Sequence, residues 1–585
     1  AAFTAHVRGL VLAGAIPPDL AGVIRSAGRI PPTAWALVVA TRRGLVGRLD
    51  DGARVVLRGP LQAALVPGAT VLVRLSGQGR RTAEGWVLRV DAGDGAPAVS
   101  DDAVARILAA EGIVVPFPPG CLAQASAVAS QPMDLAGRED LRDLPLVTID
   151  GADARDFDDA VWAEPVVDGF RVIVAIADVA HYVSAGTPLD DEALRRGTSV
   201  YGPGLVVPML PPDLSEGVCS LRAGEDRLCV FADMVIGSSG VRRAVRFGRG
   251  VMCSRARLTY EQARHWIDDP AGSPAPESLA ALAGAEAALS AAFVRRGGLD
   301  LQAAEYALVP EGAGFRPALR ARLRSHRLIE ALMRETNAAV AEWLQARTGV
   351  VFRRHAAPGA GALRRLSATL GVEHALMPAG LTPASLAAHV AVLPQVLHGA
   401  VLRALPRAEY CAAPAGHYGL ALGAYVHATS PIRRYADLLV QRALVAALAG
   451  EDTPAVPFAR IGHLNRTEAR AAAAARALSD RYIFAYVRDK TDTDFTGSIS
   501  EVTSFGLCVC LDETGVNGLL PLSALPCDVW MFDDRRQILI ARRTGAAYAL
   551  GTRVRVRVVA MPNAQWGLVP ATDDASWLLQ TAVAP

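Results

Sequence analysis

A chain of 585 residues is longer than one hydrophobic core usually supports, and at roughly 150 residues per domain it implies about four units. With 51% hydrophobic and 20% charged residues it is globular, which excludes a disordered tail protein. A formal net charge of +2 excludes a uniformly basic DNA-coating protein but leaves room for a local basic channel, whose phosphate contacts would come from planar guanidinium groups because Lys490 is the single lysine among 60 basic residues.

Residues 1–30 carry two short predicted helices, broken at Pro17–Pro18 and ended near Gly28. From 34 to 93 the character changes. AWALVVAT, RVVLRG, TVLVRLSG and GWVLRVDA alternate or run apolar between Gly-rich turns, which predicts a small antiparallel barrel. A helix-turn-helix or winged helix is the alternative for 1–95. Asp101 to Glu111 reads as a capped helix, the PFPPG break follows at 116–120, and a second helix runs over about 120–130. Residues 138 to about 450 mix strands and helices without a repeat, predicting one large α+β domain. It holds a Pro- and Ala-rich loop at 270–277 and an amphipathic helix at 325–347. Helix 458–490 includes the stretch AAAAARA, whose small side chains allow close packing. Strands return from 494 to 570, where TGSISEVTSFGLCVCLD and GVNGLLPLSAL predict a second barrel.

Eight cysteines without a CxxC pair give neither a disulfide framework nor a zinc ribbon. Cys508 and Cys510 share one face of a predicted strand and read as core packing. No uninterrupted apolar run reaches the ~18 residues needed to span a bilayer. The most apolar region, 374–405, is interrupted by Pro378, Pro383 and Pro394. The opening AAFTAHVRGLVLAGAI, with one Arg and a very short apolar core, is a poor signal peptide. A soluble, cytoplasmic protein is expected.

The most informative segment is PLVTIDGADARDFDDAVWAE, residues 145–164. PLVTI and DAVWAEPV read as strands, and between them lie Asp150, Asp153, Asp156, Asp158 and Asp159. Five carboxylates in ten residues repel one another when ionised, and Arg155 alone cannot offset them. A strand–turn–strand folds Asp150 back toward Asp156–Asp159. Oxygen-only ligands select hard cations such as Mg²⁺ or Mn²⁺. On a strand, Asp158 and Asp159 face opposite sides and so have different tasks. A solvated acidic turn remains the plain alternative, weakened by the apolar strands on either side.

The second segment is GHYGLALGAYVHATSPIRRYADLLVQR, residues 416–442. It sets His417, His427, Arg433 and Arg434 among Tyr418, Tyr425 and Tyr435, a composition suited to single-stranded nucleic acid. Thr429 or Ser430 would cap a helix with Pro431 in its first turn, and that helix start could hold a phosphate. Together with the carboxylates, this favours phosphodiester chemistry.

TIDGADARDFDDAV closely resembles the signature of the RNase II/RNase R exoribonucleases, the RNB domain family. IVAIADVAHYV (173–183), TSVYGPGLVVPMLPPDLSEGVCSL (198–221), HRLIEALMRETNAAVA (326–341), FRRHAAP (352–358) and the His/Arg segment resemble further family blocks, in the family's order. Residues 494–570 resemble the ribosomal S-one type of OB barrel. The resemblance implies an α+β architecture, a large RNB catalytic domain flanked by small OB-like barrels. Its units would be a divergent RNA-binding region at 1–95, a helical linker at 96–137, the RNB domain at 138–490 and an S-one-type OB domain at 491–575. It also implies Mg²⁺-dependent, processive 3′→5′ hydrolysis of single-stranded RNA to nucleoside 5′-monophosphates, by a monomer with no stable protein partner and no membrane. Asp150, Asp156 and Asp159 would be metal ligands, Asp158 the carboxylate most critical to the reaction, and Arg433 a contact to the reacting phosphate. Arg434 and His427 would add RNA contacts, and Tyr201 in VYGPG would stack on a base near the 3′ end. Three departures stand out. The family's second stacking aromatic falls on Leu308, with Tyr306 the only aromatic nearby. A family Glu falls on Ala475, with Glu468 about two turns earlier. The region before residue 138 has room for one barrel where the family usually has two. An inactive or weak RNA-binding protein on the same scaffold is the alternative, although the four key aspartates are present.

Overall fold

The computed structural model describes five strands between residues 33 and 91, then residues 101–580 apart from 270–271, 302–305, 313, 348, 370–381, 394, 527, 534–535, 562–564 and 573–577. The helices expected before residue 30 lie outside the described residues.

Strands β1 (Thr33–Thr41), β2 (Gly44–Leu49), β3 (Arg54–Arg58), β4 (Thr70–Ser76) and β5 (Ala83–Asp91) close into a barrel of order β1-β2-β3-β5-β4. A barrel, not a winged helix, therefore occupies 33–91. It is not wholly antiparallel, because β3 and β5 run parallel. Short strand β2 escaped the pattern reading: GLVGRL has two glycines and little alternation.

The centre of the molecule is a seven-stranded mixed sheet. Its strands are β6 (Glu139–Asp140), β7 (Val147–Asp150), β8 (Asp159–Val166) and β9 (Gly169–Ala177), then, beyond the separate hairpin of β10 (Val200–Gly202) and β11 (Leu205–Val207), β12 (Asp226–Gly237), β13 (Arg242–Cys253) and β14 (Ala256–Thr259). The order is β14-β7-β8-β9-β12-β13-β6. Strand β9, GFRVIVAIA, is buried from Val172 to Ala177, so both of its faces are covered and its sequence runs apolar without alternation. Each buried Val or Ile there contributes about 1.5–3 kcal/mol relative to exposure. Helix Pro276–Arg295 packs on β8 and β9, while helices Arg324–Leu344 and Tyr435–Leu448 pack against β9 and β13. Helix Pro276–Arg295 is long and apolar enough to cross a membrane by composition. Here Leu279, Leu282, Leu289 and Phe293 bury that apolar surface within the protein, as a core helix does.

Further along, β15 (Tyr306–Glu311) and β16 (Gly314–Leu319) form a hairpin, and β17 (Phe352–Arg354) pairs with β18 (Glu409–Cys411). The long helix Phe458–Arg488 then leads to β19 (Asp494–Thr503), β20 (Gly506–Leu511) and β21 (Asn517–Pro521). Beyond a small separate sheet of β22 (Trp530–Asp533), β23 (Ile538–Ala541) and β24 (Ala547–Tyr548), these join β25 (Arg553–Met561) and β26 (Gln565–Pro570), in the order β21-β20-β19-β25-β26, with β21 lying beside β26. Leu507, Val509 and Leu511 of β20 fill the core of this terminal unit. Cys508 and Cys510 alternate with them and sit half-buried on the other face, so they are not core residues. The whole is α+β, as the sequence implies.

Candidate active site

The site grows from the end of one central strand and the start of the next. β7 ends at Asp150, β8 begins at Asp159, and Val147 pairs with Val161, so the irregular stretch 151–158 is folded back over the strand ends. Asp153 and Arg155 are exposed, and Arg155 lies 3.6 Å from Glu216, away from the cluster. Asp158 is buried; its Oδ1 accepts the Ile432 backbone N–H at 2.8 Å, and its Oδ2 lies 3.5 Å from Arg433 Nε. Oδ2 of Asp158 and Oδ2 of Asp150 are buried without a hydrogen-bond donor.

Burial dominates the electrostatics here. It pushes the Asp150 carboxyl up to about 6, with help from Asp156 and against Arg257 and Arg433. It pushes Asp159 up to about 8, with Asp150 adding to the rise. Asp158 is held well above the carboxylate range by the same desolvation, opposed by Arg433. Arg257, Arg433 and Arg434 oppose the rise without cancelling it.

The arginine loop closes over it. Thr198 Oγ1 and the Ser199 N–H both donate to the Arg433 carbonyl, at 3.0 and 2.9 Å, which fixes the loop against the strand carrying Tyr201. The Arg433 side chain is part-exposed and donates to Ser430 Oγ at 2.9 Å. The Arg434 guanidinium is committed: it pairs bidentately with Asp437, at 2.9 and 2.8 Å, and Asp437 also accepts the Ser430 N–H at 2.9 Å. The helix expected from Pro431 starts only at Tyr435. Residues 431–433 are a turn in place of the helix start expected to hold a phosphate, and the Ile432 N–H there holds the Asp158 carboxylate.

Two residues of this site escaped the sequence reading. β14 runs parallel to β7 with Thr259 opposite Asp150, which brings Arg257 and Tyr260 to the cluster. Arg257 donates to the Gly151 carbonyl. The Tyr260 phenol is pushed up by burial and by Asp150 and Asp159, and its ring stacks on His326 at 3.9 Å. The signal available was the T-x-x-Q capping box at Thr259–Gln262, which fixes where β14 ends and a helix begins.

Among the described residues, no three Asp, Glu, His or Cys side chains are placed to hold a metal ion together. Mg²⁺ does not need one: it keeps several waters and is bound through one or two carboxylates plus substrate phosphate. The orphaned Asp150 Oδ2, among neighbours that offer only carboxylate oxygens, fits that mode of binding.

Residues 138–450 match the RNB domain family. The chain belongs to it. Ribonuclease R of Escherichia coli is 39% identical over 459 residues, 73% of this chain and 56% of the relative. Ribonuclease R of Thermotoga maritima is 34% identical over 472 residues, 76% of this chain and 66% of the relative. The chain thus spans little more than half the length of several Ribonuclease R sequences it matches. Mycoplasma genitalium RNase R in complex with ribose-methylated single-stranded RNA has the same fold, with a TM-score of 0.75 and 24% identity over 93% of this chain and 90% of that one. Yeast Ssd1, a pseudonuclease, shares it at a TM-score of 0.64 and 16% identity over 87% of this chain and 68% of that one.

The other residues expected from the RNB resemblance fall as follows. Tyr201 donates to Asp156 Oδ2 at 2.9 Å, at the edge of the cluster. Tyr306 and Leu308 lie on one face of β15 and pack against the core of the terminal barrel. His427 is half-buried, with Nδ1 3.0 Å from the Tyr410 hydroxyl. Glu468 is held by Arg353 at 2.7 and 2.9 Å, and Ala475 is half-buried on the same long helix.

Proposed function

We propose that this chain is a processive 3′→5′ exoribonuclease that hydrolyses single-stranded RNA to nucleoside 5′-monophosphates. One observation carries the reading: the carboxylate cluster at the ends of β7 and β8 meets the arginine loop at Asp158, which accepts the Ile432 N–H and lies 3.5 Å from Arg433. Asp150, Asp156 and Asp159 are the residues to hold Mg²⁺ or Mn²⁺. Such a cation, when bound, supplies a Lewis acid for water activation and for the leaving 3′ oxygen. The chain's own residues do the positioning. The Ile432 N–H orients Asp158 so that Oδ2 faces Arg433. Arg433 meets the charge on the reacting phosphate, where a planar donor is worth most in a dry site. Thr198 and Ser199 keep its backbone from shifting. Tyr201 offers its ring to a base near the 3′ end. His427 and Arg434 shape the loop.

The units follow the sequence boundaries: 1–95 and 491–575 bind RNA, 96–137 links, and 138–490 holds the chemistry. The enzyme works as a cytoplasmic monomer. A 5′-labelled single-stranded RNA oligomer, incubated with Mg²⁺ or with EDTA, tests the reading. The expected result is metal-dependent collapse to a short 5′ end-product without a ladder of intermediates. The same RNA annealed as a duplex with a 3′ overhang reports whether structure blocks the enzyme. Tight binding without shortening, in Mg²⁺ and again when Mn²⁺ replaces it, overturns the proposal and places the chain with RNA-binding proteins on an RNB scaffold.

A further inference from the structure

Of the four aspartates, Asp156 has the least backbone support. Asp150 and Asp159 lie on central strands, and Asp158 is clasped by the Ile432 N–H. Asp156 sits in the irregular stretch before β8 and is half-buried. Among the described residues, the one hydrogen bond its carboxylate receives comes from the Tyr201 hydroxyl, at 2.9 Å to Oδ2.

Tyr201 itself is firmly placed. It lies on β10, paired with Val206 of β11. A Cβ at Gly202 would stand 2.7 Å from Leu478 of the long helix, so that strand lies hard against the helix. Gly204, at φ +67°, turns the hairpin, and a Cβ there would stand 2.9 Å from the Phe315 ring. Three residues before Tyr201, Thr198 holds the Arg433 carbonyl. The phenol is therefore fixed on a small scaffold that also fixes Arg433. With Oδ2 taken by Tyr201, Asp156 keeps Oδ1 for a cation. A carboxylate ligand oriented by an outer hydrogen bond is the common arrangement in metal sites. Tyr201 is nevertheless 41% exposed, so part of its surface stays open to solvent.

We propose that Tyr201 is the positioning residue for Asp156: its hydroxyl sets the carboxylate for a divalent cation while its ring remains available to a terminal base. The proposal rests on the nuclease reading above. It adds that one side chain ties the place of the RNA end to the geometry of the metal ligand.

Tyr201→Phe separates the two parts, because it keeps the ring and deletes the hydroxyl. Mn²⁺ affinity is read by the loss of the free-ion electron paramagnetic resonance signal, without RNA. Affinity for a single-stranded RNA oligomer is read by fluorescence anisotropy in EDTA. Tyr201→Phe is expected to weaken Mn²⁺ binding by about 10- to 100-fold, the usual cost of losing an outer hydrogen bond, and to leave RNA affinity within about twofold of wild type. Tyr201→Ala is expected to weaken both, RNA by roughly tenfold, through lost stacking. Unchanged thermal unfolding of Tyr201→Phe keeps the comparison valid. If that variant misfolds, Tyr201→Trp carries the same test, since it too keeps a stacking face without the phenol. Mn²⁺ affinity within about twofold of wild type in the hydroxyl-less variant overturns the proposal. When that happens in an enzyme that still shortens RNA, the nuclease reading survives. A wild-type protein that takes up no Mn²⁺ and shortens no RNA overturns both.

Discussion

Two buried titratable clusters flank the arginine loop. On one side are Asp150, Asp158 and Asp159, which burial pushes upward. On the other are His355, His417 and His427, which burial pushes downward, His417 to about 3. A histidine that sheds its proton becomes a neutral ring able to use ordinary partners. His355 Nδ1 accepts the Gly419 N–H at 3.0 Å, which leaves Nε2 to donate to the Pro406 carbonyl at 2.9 Å. Tyr410 joins His427 in the same way, and Arg353 lies 4.6 Å over the Tyr410 ring. A buried carboxylate becomes neutral only by holding a proton, and a cation can take that proton's place. His417 Nδ1 and Asp150 Oδ2 are both buried without a partner, but a neutral ring nitrogen left alone costs less than a charged oxygen. The same desolvation therefore builds a neutral wall on one side and a proton-or-cation site on the other.

The most severe way to break that contrast is to neutralise its centre. Asp158→Asn is nearly isosteric and still offers an oxygen to the Ile432 N–H, so the fold and RNA binding in EDTA are expected to persist. Turnover on single-stranded RNA is expected to fall by about a thousandfold or more, while His427→Asn on the wall costs less than about tenfold. A thousandfold corresponds to ~4 kcal/mol of barrier. An Asp158→Asn enzyme retaining more than about a tenth of the wild-type rate, a change of ~1.4 kcal/mol, would remove Asp158 from the chemistry.

A smaller effect separates two neighbours in the loop. Arg434 is paired with an Asp437 whose side chain is fully buried, whereas the Arg433 side chain is 42% exposed beside Asp158. Arg434→Ala leaves a buried carboxylate without its counter-charge, which typically costs 3–5 kcal/mol of stability, and thermal unfolding should show it as a lowered midpoint. Arg433→Ala should leave the midpoint in place and abolish most turnover. The reverse pattern would mean that the two arginines have exchanged roles.

That pair also shows what could be read in advance. Arg-Arg in IRRYAD is symmetric on paper, and only Asp437, three residues on, hints that Arg434 is taken. The decapeptide 150–159 was legible because its logic is local: two apolar strands, a turn and too many carboxylates. The β8 boundaries, Asp159–Val166, coincide with the segment predicted as a strand. Arg257 and Tyr260 were not legible, because the parallel register of β14 on β7 is a long-range fact. Tyr306 was the nearest aromatic in sequence, yet it shares a strand face with Leu308, and both serve the terminal barrel instead of the cluster. Glu468, a turn-count away from Ala475, was already matched to Arg353 by the fold.

The smallest expected effect has the sharpest sign. Histidines depressed by folding contribute stability above their unfolded value of ~6.5, and that stability is lost as pH falls toward the folded values. The carboxylates work in the opposite sense. Asp150 and Asp159, raised to about 6 and about 8, bind protons more tightly folded than unfolded. Their contribution is complete below the unfolded value of ~3.9 and is lost as pH rises through about 6 and then about 8. Above pH ~7.5 the histidines are neutral in both states, so from ~7.5 to ~8.5 the change comes from Asp159. Metal-free protein should therefore unfold at progressively lower temperature across that window, by about a degree or two for a loss of roughly 0.5–1 kcal/mol. Saturating Mg²⁺ should flatten the slope, because a cation stabilises the charged carboxylates that deprotonation creates. A metal-free midpoint that does not fall from pH ~7.5 to ~8.5 would show that the protein already supplies the positive charge, and the contrast between the two clusters would collapse.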